Sequence, residues 1–154
     1  MSLKEYIEEH AAENESLNVE TFIRKFLDKK QRARIAELSA EWNEAVENDD
    51  DVAESDARSQ MERLLDKPTT AFAKSFFADG EPTEDVGFVE ERKGDLIEII
   101  LRKWDEGWAA SVRTNYWDAP ASTIDPSLAK ATPAEAFAWG FFDAMTYHLL
   151  NEGA

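Results

Sequence analysis

Side chains able to do acid–base, nucleophilic or metal chemistry occur in this sequence, but their spacing is unpromising. There are two histidines, His10 and His148, far apart and without a second histidine at ligand spacing from either. His148 falls on what reads as the apolar face of a helix. A histidine there is a general base in a pocket, a hydrogen-bonded member of a core edge, or a cation near a helix C-terminus. The chain has no cysteine, which removes thiolate nucleophiles, thiolate metal sites and disulfides. Asp49, Asp51, Ser55 and Asp56 loosely suggest a calcium loop, yet the loop glycine is missing and the twelfth position from Asp49 is Gln60 rather than a bidentate Glu. Glu90 and Glu91 are adjacent in a strand-like stretch, so they point to opposite faces and make poor acid–base partners. The six glycines form no phosphate-cradling loop, and Gly-x-Ser-x-Gly does not occur. The motifs therefore predict no catalytic residue, no metal site and no cofactor.

What the sequence has in surplus is carboxylate. Asp and Glu number 33 against 17 Lys and Arg, a formal net charge of −16. Such a charge repels nucleic acid and anionic lipid at long range and attracts basic surfaces. The densest anionic run is Glu41, Glu44, Glu47, Asp49, Asp50, Asp51, Glu54 and Asp56. It is the expected contact surface for a basic protein partner, with no direct nucleic-acid contact. Inhibitors or nucleic-acid mimics of phage or mobile-element type, and immunity proteins, share this physics: complementary potentials speed encounter, and the attraction falls with salt. The plainer reading of the same residues is a solvated loop in a protein kept dispersed by its charge, or adapted to high salt.

Against this background stands RKFLDKKQRAR, Arg24 to Arg34, with six cations and one Asp. A helix-turn-helix contact with DNA needs a second helix with a polar or basic exposed face. Here Glu37, Glu41, Glu44 and Glu47 follow the arginines and would oppose phosphate. The run is expected to be a corner between two helices, facing the protein's own acids.

The elements that position these residues follow from periodicity. Ser2 and Glu5 read as a capping box for a helix from Leu3 to about Ala12. Asn18 is placed to cap a helix over 19–27. A second apolar stripe, Ile35, Leu38, Trp42, Ala45 and Val46, lies off the first, so a new helix over 29–47 is expected, capped by Asp28 with Gln31 completing the box. A helix over 52–65 should stop before Pro68, with Thr69 or Thr70 capping a short helix that carries Phe72, Phe76 and Phe77 and closes at Asp79-Gly80.

Beyond the polar linker at 81–85 the pattern becomes strand-like. Val86–Lys93 and Leu96–Trp104 are joined by a Gly94-Asp95 turn. Asp105-Glu106-Gly107 is a three-residue loop, and Trp108–Tyr116 is the third strand. After a loop over Asp118–Ala131, Thr132-Pro133-Ala134-Glu135 starts a helix to about Leu150.

The fold class is α+β: N-terminal helices, a three-stranded antiparallel meander, and a C-terminal helix packed on the sheet. A single domain over 1–154 is the simplest organisation. The alternative is a helical subdomain over 1–78 with a strand-plus-helix part over 86–152.

Two further functional readings attach to that second half. One is a small ligand-binding or enzymatic domain with a pocket between meander and C-terminal helix. The other is an oligomeric assembly protein using its aromatic-rich surface. Trp104 and Trp117 are candidates for an aromatic rim, although Asp105, Glu106 and Asp118 beside them argue against stacking nucleic acid. No apolar run reaches membrane-spanning length, and the acidic N-terminus suits neither a secretory signal nor a transit peptide. The expected location is the cytoplasm.

Overall fold

The computed structural model describes residues 15–116, 118–119 and 129–154. The Ser2 cap, the helix over 3–12, His10 and Trp117 lie outside the described residues. The elements in chain order are α1 (Val19–Phe26), α2 (Lys29–Glu47), α3 (Asp51–Phe76), β1 (Val86–Arg92), β2 (Asp95–Trp104), β3 (Gly107–Arg113), β4 (Asp118–Ala119) and α4 (Pro133–Glu152). The expected α+β class holds, with the C-terminal helix on an antiparallel meander. The sheet order is β1-β2-β3-β4, the last strand being a two-residue addition where only loop was expected.

The layering has a simple cause. α4 is apolar on nearly all sides: Phe137, Phe141, Ala144, Met145, Leu149 and Leu150 are all buried. A helix without a polar face must be covered on more than one side. α4 accordingly packs on β2 and β3 on one side and on α2 and α3 on the other. Gly140 permits the close approach to the sheet, since a Cβ there would sit 3.0 Å from the Ala110 Cβ and 3.2 Å from a Val112 methyl. The helical half thus covers α4 rather than the far face of the sheet.

One hydrophobic core runs through these layers, from Leu17 to Leu150. Its centre is phenylalanine. Phe72 of α3 meets Phe22, Phe26, Phe76, Phe137 and Phe141 at centroid distances of 4.7–6.4 Å. Phe137 of α4 stacks on Phe76 at 4.7 Å and meets Phe88 of β1 edge-on at 5.3 Å. Such pairs add about 0.5–1.5 kcal/mol each beyond the area they bury.

The break between α1 and α2 occurs where the two apolar stripes diverge. Asp28 accepts from Gln31 N at 2.7 Å, and Gln31 Oε1 accepts from Asp28 N at 2.8 Å, a complete capping box. Thr132 likewise caps α4 by accepting from Glu135 N at 3.2 Å.

Several local expectations are corrected. Asn18 does not cap α1: it is left-handed at φ 54° and its side chain makes no cap bond. The cap comes from the sheet instead, where Glu90 Oε1 accepts from Val19 N at 3.2 Å. Pro68 does not divide α3, which runs on to Phe76. A proline in a helix removes one N–H and crowds the preceding turn. Here Thr69 Oγ1 donates to Leu65 O at 2.7 Å and Thr70 Oγ1 to Asp66 O at 3.1 Å, beside the Leu64 carbonyl whose helical donor the proline removes. The proline ring itself is buried.

The β1–β2 turn is Lys93-Gly94, not Gly94-Asp95. Both residues have positive φ, 53° and 80°, as a type I′ turn requires, and Arg92 pairs with Asp95. The next loop is also two residues, Asp105-Glu106, with Trp104 paired to Gly107. Gly107 sits at φ 134°, where a Cβ would lie 2.3 Å from Lys130 O, so the glycine serves strand contact rather than the loop. β3 ends at Arg113, short of the expected Tyr116.

Candidate functional site

The acidic run forms the connection between α2 and α3. α2 ends at Glu47 and α3 begins at Asp51, so the chain reverses within three residues. Asp50 is the N-cap of α3, accepting from Ala53 N at 3.1 Å, while Asp51 and Glu54 sit in the first turn, where a carboxylate suits the helix dipole. Asp49 takes the left-handed conformation at φ 51°, one that Asp tolerates. Fixed backbone geometry therefore sets the direction of these acids.

Glu41, Glu44, Glu47, Asp49, Asp50, Asp51 and Asp56 are exposed and Glu54 is half-buried. Glu41 lies 3.6 Å from Arg34. Among the described residues no Lys or Arg pairs with the other seven; Asp56 accepts only a neutral amide, Gln60 Nε2 at 3.0 Å. Between the acids the turn exposes apolar surface. Val52 is 81% and Val46 46% exposed.

The opposite pattern occurs where the β1–β2 turn meets the end of α4. Because the turn closes one residue early, Asp95 opens β2 and enters the interior. Its Oδ2 lies 2.7 Å from His148 Nδ1, and its Oδ1 accepts from Asn115 N at 3.0 Å. Arg92, across the ladder from Asp95, brings Nη1 to 3.1 Å from His148 Nε2. A guanidinium only donates, so Nε2 accepts and the ring proton sits on Nδ1, donating to Asp95. Arg92 Nη2 then lies 3.6 Å from Glu20 of α1. Asp95 and His148 are both 0% exposed. Both nitrogens of His148 are thus engaged, and the ring ties the hairpin to α4 rather than facing a substrate.

The sequence singled out His148 but missed Arg92, Asp95 and Asn115. Their only signal was a turn residue adjacent to a strand, and reading the turn one residue late hid it. Glu90 caps α1 and also accepts from Ser16 Oγ at 3.3 Å, while its neighbour Glu91 is exposed. The Asp49–Asp56 loop gathers no metal set, and among the described residues no group of three His, Asp or Glu is arranged to hold an ion. Trp104 is half-buried at the end of β2, with its indole nitrogen out of solvent contact.

The basic run is divided by the corner it forms. Arg34 pairs with Glu37 at 2.7 Å and also donates to Gln60 of α3. Its hydrogen bond to Glu37, assisted by Glu41, holds the guanidinium above its ordinary pKa. Arg32 turns back to α1, donating from Nη1 to Leu27 O at 3.0 Å and Ile23 O at 3.3 Å, which satisfies carbonyls at a helix end. Beyond β3, Tyr116 donates to Glu152; this hydrogen bond, with burial and the neighbouring charge, pushes its phenol up to about 12.

No helix among the described residues is long and apolar enough to cross a membrane. Comparison with protein-family models, with curated proteins and with solved structures returned no match.

Proposed function

We propose that this chain is a binding protein that presents the α2–α3 turn to a basic protein surface, as an inhibitor, an immunity protein or a nucleic-acid mimic would. The observation that carries the reading is the set of seven carboxylates held at one short helical connection with no cationic partner among the described residues. Fixing like charges side by side is unfavourable in the isolated protein, and a cationic partner relieves it. Val46 and Val52 lie within the same surface and supply the apolar contact that charge alone lacks. The turn projects from two long helices whose other faces are committed to the core, so it can be covered without rearranging the fold.

The test is retention of a cationic protein by the wild-type chain from lysate at about 50 mM salt, with release at several hundred millimolar, as screening demands. The comparison is a variant carrying Glu44→Gln, Glu47→Gln, Asp49→Asn, Asp51→Asn and Asp56→Asn. Loss of the same protein from that folded variant supports the proposal; equal retention by both overturns it.

A further inference from the structure

The Arg24–Arg34 run leaves one feature that the acidic turn does not explain. Arg24 of α1, Arg32 of α2 and Arg92 of β1 line one open groove of about 670 Å³, together with Glu20, Ile23, Ala36 and Ala154. Three arginines from three elements line this groove in a protein whose net charge is −16.

Two of them are held by one nitrogen each. Arg32 Nη1 is committed to the carbonyls ending α1. Arg92 Nη1 is committed to His148, and its side chain is only 12% exposed. A guanidinium carries five donors in a planar fork, so this anchoring leaves other N–H groups in fixed positions. Arg24 is exposed, and its guanidinium donates to no described residue. The one carboxylate paired with any of the three, among the described residues, is Glu20, at a loose 3.6 Å from Arg92 and itself 66% exposed. Asp95 reaches Arg92 only through the imidazole of His148.

We infer that this groove is a binding site for a small oxyanion, a phosphate or carboxylate group carried by a ligand. Arginine is the residue that matches such groups bidentately, and pre-anchored forks lose less freedom on binding than exposed lysines would. Glu20 is the site's internal competitor: it holds Arg92 in the free protein and is displaced or neutralised when the anion enters. The site is separate from the α2–α3 turn, so either proposal can fail alone.

The experiment is a titration of the folded full chain with inorganic phosphate and, in a second arm, with citrate, each against sodium chloride at matched ionic strength, followed by thermal unfolding and calorimetry. Saturable stabilisation by phosphate or citrate beyond chloride is expected, and the stronger arm identifies the source of the oxyanion. Arg24→Gln touches no structural bond and is expected to weaken binding about tenfold, as for loss of one charge-assisted hydrogen bond. Glu20→Gln is expected to act in the opposite direction, tightening binding about threefold, the scale of an exposed ion pair. Saturation at one ligand per chain distinguishes a formed site from general screening, which does not saturate. Responses equal to chloride in both arms, or an Arg24→Gln protein that binds as well as wild type, overturn the inference.

Discussion

Two clusters of charge occupy different parts of this molecule and obey different rules. At the α2–α3 turn the carboxylates are close in sequence, exposed except for half-buried Glu54, and without cationic partners among the described residues apart from Glu41. Where the β1–β2 turn meets α4, Glu20, Arg92, Asp95 and His148 come from four elements, and the two central groups are fully buried and matched donor to acceptor. Removal of one member from a buried pair strands the other in a poorly solvating interior, while removal of an exposed carboxylate leaves only water to rearrange. The fold therefore depends on the second cluster, and the first is available for other work.

The largest expected effect breaks the buried cluster. Asp95→Ala leaves the His148 Nδ1–H and the Asn115 N–H without their acceptor and should lower stability by about 3–5 kcal/mol in urea unfolding. Asp95→Asn keeps an acceptor oxygen and should be milder; equal losses would show that shape rather than charge matters there. Phe72→Ala, a cavity at the meeting point of five rings, should lie in the same range of about 3–5 kcal/mol, which calibrates the electrostatic result against packing. Asp28→Ala opens the α1–α2 corner and should lower stability by about 1 kcal/mol, the usual worth of an N-cap.

At the acidic turn the sign should change. Glu44→Gln, Glu47→Gln and Asp49→Asn together are expected to shift stability by no more than about 0.5 kcal/mol, toward greater stability at low salt, because surface substitutions are mild and these groups repel one another. A marked loss on this triple change would erase the distinction between the two clusters.

Tyr116 gives a smaller, pH-dependent check. Its folded pKa of about 12 lies above the ordinary tyrosine value of 10.0, so the neutral phenol is favoured in the folded state. Its stabilising contribution is full below pH 10 and disappears as the pH rises through 12. Tyr116 is 43% exposed, so solvent screens the effect, and tyrosinate absorbance should report it more clearly than unfolding. A tyrosinate step missing in Tyr116→Phe, and centred near 12 rather than near 10, is the expected signature.

The contrast also explains what the sequence made legible. Capping boxes, apolar stripes and strand alternation are local, and Asp28-Gln31, Thr132-Glu135 and Ile97-Ile99-Leu101 all behave as their spacing implies. The acidic turn was visible for the same reason. Errors arose where a distant group supplied what the local chain lacked. Glu90 caps α1 in place of Asn18, 71 residues away from Val19. Pro68 reads as a break, yet α3 continues through it with the ring buried and Thr69 and Thr70 donating to neighbouring carbonyls. Asp95 looked like a turn residue because Gly-Asp is a turn signal, yet positive φ at both Lys93 and Gly94 places the reversal earlier. The middle position of α4 was hidden in plain view: an apolar arc too wide for one neighbour announces two, but not which two.

That middle position has a consequence for how the chain is made. Synthesis proceeds from the N-terminus, so α1, α2, α3 and the meander emerge before residues 133–152 exist. Until then the surfaces of Phe22, Phe72 and Ile99 that later enclose α4 have nothing to bury against. A nascent chain in that condition is an open sandwich without its filling, sticky on both inner faces. Closure of the core must follow translation of α4, so those apolar faces stay open to unwanted contacts until the last helix arrives.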